Sequence, residues 1–127
     1  MIFLEDQPIF LQIAEWISDR ILDGTYPTGS NVPSVRELAV RMEVNPNTAM
    51  RAVERLQRDG LIYPKRGIGF YVDASARERI LVKRMERFKN ERVPQLVTEM
   101  RLLNISLEKL CKLTEDELNR QHTEGEK

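Results

Sequence analysis

The stretch PSVRELAVRMEVNPNTAMRAVERLQRDGLIYPKRGIGFYV, residues 33–72, decides the fold. Val35, Leu38, Ala39 and Met42 follow the i, i+3, i+4, i+7 spacing of one helix face. Ala49, Val53 and Leu56 repeat that spacing, and Ala52 completes the stripe. Between the two segments lies Glu43-Val44-Asn45-Pro46. Asn45 suits a helix N-cap, and Pro46 suits the first turn, where no backbone N–H is needed. The second helix is therefore expected to begin near Asn47, three or four residues after the first ends. This is helix-turn-helix spacing.

The face of the second helix opposite its apolar stripe carries Asn47, Thr48, Arg51, Glu54, Arg55 and Arg58, with Met50 on the same outward side. Its first turns offer an amide, a hydroxyl and a guanidinium at the end that enters the major groove in such motifs. Arginine matches guanine bidentately, asparagine matches adenine, and a methionine side chain suits a thymine methyl. A charged, solvated helix face is the alternative for an isolated helix. The cap, the partner helix and the hairpin that follows favour a DNA-reading role.

Working outward, Ser34 can cap the first of the two helices, and Glu37 three residues on completes a capping-box pattern. Arg36 stands in that first turn, where a cation opposes the helix dipole unless a phosphate offsets it. Pairing with Glu37 or Glu43 is the competing role. Upstream, Pro8 opens a segment in which Ile9, Ile13, Ile17 and Ile21 recur every fourth residue beside Phe10 and Ala14, with Trp16 off that line. Gly24 ends it. This third helix is needed because two helices alone cannot bury their apolar faces. The short run Met1 to Leu4 is too brief for a helix and reads as a possible added strand. Downstream, Leu61-Ile62-Tyr63 and Phe70-Tyr71-Val72 flank Pro64-Lys65-Arg66-Gly67-Ile68-Gly69, a hairpin pattern. Gly67 and Gly69 allow close backbone approach, and Lys65 and Arg66 add charge. A nucleotide-phosphate loop would need a different glycine spacing and a strand-loop-helix setting.

Charge distribution agrees with this reading. The chain of 127 residues has 20 Lys and Arg against 20 Asp and Glu, so it is neutral overall. Residues 1–32 hold one basic against five acidic side chains, residues 33–72 seven against four, and residues 73–127 twelve against eleven. The basic excess thus sits on the helix-turn-helix and hairpin, where phosphate binding depends on placement rather than bulk charge.

The order of these motifs resembles the winged-helix domain of GntR-family bacterial transcription regulators. The matching pieces are PIFLQI, GTYPTGSNVPSVRELA, VNPNTAMRAVERLQRDGLI and RGIGFYV. The resemblance implies a sequence-specific transcription regulator, expected to repress, with a double-stranded DNA operator as partner. It implies DNA contacts from Arg36, Asn47, Thr48, Arg51, Arg66, Gly67 and Gly69, and Ser34, Asn45, Met50, Arg55 and Lys65 beside them complete the candidate DNA-contacting set. Many family members carry a basic residue where this chain has Met50, and Val32-Pro33 replaces a more usual Leu-Pro.

Residues 73–127 are too few for the large effector domain that most such regulators carry. Leu81, Met85, Phe88, Leu96, Met100 and Leu103 mark a helical stripe, interrupted at Arg92 and bent or broken near Pro94. After Asn104-Ile105, Ser106 can cap a further helix bearing Leu107, Leu110, Cys111 and Leu113. A helical pair of this kind must bury its stripe on something, and a second copy is the simplest partner. The arrangement is similar to the YtrA-like branch of the family, whose short helical tail dimerises the repressor and whose members often accompany transporter genes. The expected architecture is mainly α with a small β-hairpin. A winged helix-turn-helix domain spans residues 1–73, and a helical dimerisation tail spans 74–127 with a frayed polar end from Gln121.

Other function classes find little support. His122, the single histidine, lies in the polar tail with no thiol or carboxylate constellation around it, so no enzyme, metal site or cofactor is expected. Cys111 is the only cysteine and reads as a buried structural thiol. No run approaches the ~20 apolar residues of a membrane span, and no signal-peptide pattern opens the chain, so a cytoplasmic protein is expected. A winged helix used for protein docking would need an apolar outward helix, and only Met50 fits. No residue set identifies an effector ligand.

Overall fold

A computed structural model of the chain describes residues 3–67 and 69–125. Its elements are α1 (Ile9–Leu22), α2 (Val35–Met42), α3 (Pro46–Arg58), β1 (Ile62–Lys65), β2 (Gly69–Val72), α4 (Ala76–Arg87), a π-helical turn (Phe88–Arg92), α5 (Val93–Leu103) and α6 (Leu107–Gly125). The chain divides into two compact units, one ending at Arg84 and the other starting at Met85.

The first unit is built around α3, which packs on both α1 and α2. Ile13, Ile17 and Ile21 of α1, Leu38 and Met42 of α2, and Val53 and Leu56 of α3 share one apolar core. Ala49 and Ala52 are fully buried where the helices meet, and their small side chains permit close approach. Burial of each large aliphatic side chain contributes about 1.5–3 kcal/mol. Ile9, at the open start of α1, is exposed rather than part of this core. Trp16 is half-buried, with the guanidinium of Arg20 4.5 Å and that of Arg41 5.9 Å from its ring centre.

The β-hairpin has the register Ile62↔Val72, Tyr63↔Tyr71, Pro64↔Phe70 and Lys65↔Gly69. Ile62 and Val72 face the core. The segment before α2 also lies along β2. Val32 N–H donates to Phe70 O, Gly29 N–H to Val72 O, and Val72 N–H to Ser30 O. The extended geometry imposed on Val32 by Pro33 suits this pairing. At the start of the chain, Leu4 forms no strand. The buried Gln12 holds it instead, accepting from Leu4 N–H at 2.8 Å and donating to Leu4 O at 2.8 Å and to Gln7 O at 3.0 Å. Met1 and Ile2 lie outside the described residues.

The first unit extends past the expected boundary at residue 73. Ala76 and Ile80 of α4 are buried in its core, and Arg84 donates to Asp19 and to Glu15, the latter at 2.9 Å. Asp73 accepts the N–H and hydroxyl of Ser75 just before α4, and these donors lower its pKa below the ordinary carboxylate value.

The second unit contains the π turn, α5 and α6, and none of their described residues is buried. The expected interruption near Pro94 takes the form of that turn, in which Val93 N–H donates to Phe88 O. Proline lacks the N–H that an α-helix would use at that point, so the ladder is displaced just ahead of it. Asn104 ends α5 in the left-handed region, φ 55°, a conformation asparagine adopts readily. Ser106 caps α6 by accepting from Lys109 N–H. Two expectations change here. Cys111 is exposed, as none of the described residues of α6 is buried. The polar end is helical to Gly125, with Arg120 bridging Glu117 and Glu124 and Thr123 bonded to Asn119 O. Arg120 and Gln121 draw the Glu117 carboxyl down to about 2.

Glu43 closes α2 at φ 55°, a left-handed conformation that costs a side chain roughly 1–2 kcal/mol and glycine almost nothing. Glu43→Gly is expected to raise unfolding stability by about 1 kcal/mol in urea titration once the entropy of glycine is included. A loss of stability would show that the Glu43 side chain supports the turn.

Candidate nucleic-acid interface

The turn between α2 and α3 aims the outward face of α3. Glu43 reverses the chain, and Val44 N–H returns to Ala39 O at 3.0 Å. Asn45 then begins α3. Its side-chain oxygen accepts from Asn47 N–H at 2.8 Å, and its backbone oxygen accepts from Thr48 and Ala49. Pro46 occupies the first turn. Asn45 thus uses its side-chain oxygen for capping while the residue stays exposed.

With α3 fixed on its apolar side, Asn47, Met50, Arg51 and Glu54 are exposed, and Thr48 is half-buried. Met50 is 42% exposed, a large apolar contact area on an otherwise polar face. Arg51 carries its guanidinium carbon 4.4 Å from the ring centre of Phe10 on α1. Arg55 sits differently. It pairs with Asp59 at 3.1 Å near the C-terminal end of α3, far from the end bearing Asn47. Arg55 nonetheless lies on the same side of α3 as Asn47 and Arg51, at i+8 and i+4 from them.

The α2 side contributes Ser34 and Arg36. Ser34 accepts from Glu37 N–H at 3.1 Å and so spends its hydroxyl oxygen on the cap. Arg36 is exposed in the first turn of α2. Neither competing ion pair, to Glu37 or to Glu43, forms among the described residues.

In the hairpin, Lys65, Arg66 and Gly67 are exposed, and Gly67 and Gly69 have φ of 77° and 113°. Those values suit glycine and let the loop turn tightly. The loop residue Ile68 lies outside the described residues. Lys65 stands over the ring of Tyr71 at 4.5 Å, and Tyr71 stacks on Tyr63 with ring centres 6.1 Å apart. The support given by Tyr71 was absent from the sequence-level site, although alternation along the paired strands puts Tyr63, Lys65 and Tyr71 on one face. Phe10 stands beside the isoleucine line of α1 and is likewise not a candidate from sequence. No local pattern marks it, since the contact with Arg51 exists only once α1 and α3 pack.

Among the described residues, no group of three or more His, Cys, Asp or Glu side chains is placed to hold a metal ion. No described helix is long and apolar enough to cross a membrane.

Three packed helices, a tight turn between α2 and α3, and a hairpin following α3 define a winged helix-turn-helix protein. Comparison with known proteins makes the class specific. The family of bacterial regulatory proteins named gntR matches residues 10–72. The HTH-type transcriptional repressor YtrA of Bacillus subtilis (strain 168) is 36% identical over 103 residues, covering 81% of this chain and 78% of the repressor. A transcriptional regulator of the GntR family from Bacteroides thetaiotaomicron, described as putative in its solved structure, is 42% identical with a TM-score of 0.70; the alignment covers 89% of this chain and 98% of that one. A GntR-family regulator from Listeria monocytogenes is 33% identical, also with a TM-score of 0.70, over 90% of this chain and 98% of that one. The chain belongs to the GntR family of transcriptional regulators.

The two asparagines of the turn have separable roles. Asn45→Ala is expected to cost about 1 kcal/mol of folding stability through loss of the cap, whereas Asn47→Ala changes stability by less than about 0.5 kcal/mol. Urea unfolding of both variants without DNA checks this, and equal losses would contradict the assignment.

Proposed function

We propose that this protein is a cytoplasmic transcriptional repressor that binds a two-fold symmetric DNA operator as a homodimer. The observation that carries the reading is the exposed face of α3, where Asn47, Met50 and Arg51 stand opposite a fully buried apolar stripe. An amide and a guanidinium supply directional hydrogen bonds to base edges, and Met50 supplies apolar contact to a thymine methyl. Thr48 serves the phosphates or a base. Arg36, Lys65, Arg66 and the backbone at Gly67 and Gly69 contact phosphates and fix orientation, without reading sequence directly.

The dimer reading is supported by the second unit. Met85 and Leu103 are each 65% exposed, and Phe88 is 55% exposed. Leu96 and Leu107 are also exposed, and Met100 and Leu110 are only half-buried. Helices with no buried side chain gain little from isolated propensity and are stabilised by burying a face on a partner. In the first unit, Leu81 of α4 is 43% exposed and is a further proposed dimer contact. Two identical DNA-binding units related by a two-fold axis then address half-sites about 34 Å, or roughly 10 base pairs, apart. Repression and control of transporter genes follow from likeness to the YtrA-like branch.

Three measurements test this proposal. Arg51→Ala should weaken binding to the preferred duplex by about 1–3 kcal/mol and relax preference at one base pair; equal loss on specific and random DNA would remove Arg51 from base reading. Joint neutralisation of Lys65 and Arg66 should reduce the salt slope by about 2, and an unchanged slope would take the hairpin out of the phosphate contacts. Phe88→Glu with Leu103→Glu should convert a dimer to a monomer in sedimentation equilibrium. A wild-type monomer at micromolar concentration would contradict the tail's role.

A further inference from the structure

We infer that Phe10 of α1 is a positioning residue for Arg51, setting the direction from which the guanidinium meets a base pair. The inference rests on the proposed DNA-reading role of Arg51.

Arginine has a long side chain whose ordering is entropically costly, and an exposed arginine on a helix ordinarily samples many rotamers. Arg51 is exposed on the second turn of α3, yet its guanidinium carbon lies 4.4 Å from the centre of the Phe10 ring. Phe10 is itself half-buried and packed against the core formed with Ile13, Ile17 and Val53. The ring is therefore anchored to the body of the domain, and the contact crosses from α1 to α3.

The chemistry of the contact matters as much as its distance. A guanidinium over an aromatic ring uses its flat face for the cation–π attraction. Its N–H donors point outward around the rim, where bidentate recognition of guanine takes place. Stacking on Phe10 and hydrogen bonding to a base edge thus use different parts of one group. No carboxylate pairs with Arg51 among the described residues. The other candidate arginines of the interface, Arg36, Arg55 and Arg66, lie over no described ring. This difference suits a division between a base reader, which needs a fixed approach, and phosphate contacts, which tolerate several.

The test uses the full chain and the duplex that wild type selects from a random pool, together with its single-base-pair variants. Phe10→Leu keeps apolar bulk and removes the π face, while Phe10→Tyr keeps the ring. Phe10→Leu is expected to reduce discrimination at the base pair read by Arg51 by about two- to five-fold, with the salt slope and random-DNA affinity unchanged. Phe10→Tyr should retain wild-type discrimination. In an Arg51→Ala background, Phe10→Leu should have no further effect on that base pair. Intact discrimination in Phe10→Leu alongside its loss in Arg51→Ala would overturn the role of Phe10 while sparing that of Arg51. Unchanged discrimination in Arg51→Ala itself would overturn both. Equal weakening on all duplexes with a lowered melting temperature would assign Phe10 to packing alone, and tighter discrimination in Phe10→Leu would show that the ring restrains Arg51; either overturns the inference.

Discussion

The fold depends on burying one side of α3 between α1 and α2. Ala49, Ala52, Val53 and Leu56 make up that side, and each is at most 1% exposed. Two alanines let the neighbouring backbones approach, while Val53 and Leu56 supply the apolar area that secures the contact. Because these positions fix the rotation of α3 about its axis, they also fix where Asn47, Met50 and Arg51 face. Packing and presentation are consequences of the same helical periodicity. A rotation by one residue, about 100°, would swing the stripe off the core and turn polar side chains towards it.

The axial position of α3 depends on a second, more local constraint. Glu43 adopts the left-handed region and Asn45 caps the helix two residues later, so the chain turns between α2 and α3 within a few residues. The price is local strain at Glu43. In return the first turn of α3, carrying Asn47 and Thr48, is held with its N–H groups satisfied by Asn45 rather than left to fray. The hairpin is tied into the same body through Ile62 and Val72 in the core and through the pairing of residues 29–32 with β2. Both α3 and the hairpin therefore project from one apolar core.

What could be read from the sequence was the part encoded by short-range pattern. The stripes of α1, α2 and α3, the caps at Ser34 and Asn45 and the hairpin all have signals within a few residues, and the structure contains each of them. Features made by distant segments were harder to foresee. Arg84 reaches Glu15 and Asp19 across the fold, so α4 joins the first unit beyond residue 73, and nothing in the sequence near Arg84 marks that contact. Arg51 over Phe10 is likewise a product of helix packing. The pairing of Arg55 with Asp59 was within reach, since their i, i+4 spacing on α3 and its cap is a standard helix pair. The leucines around Cys111 suggest a buried thiol, whereas amphipathic spacing alone does not specify what covers the stripe.

The central claim is that two copies of α3 read one DNA site about a two-fold axis. Selection of the 127-residue chain on a random duplex pool, at near-physiological salt, tests it most directly. The account predicts an inverted repeat whose half-site centres lie about 10 base pairs apart, or at a multiple of that spacing. Recovery of no motif, with only weak binding abolished by salt, would contradict sequence reading by α3, and a lone unrepeated half-site would contradict the dimer.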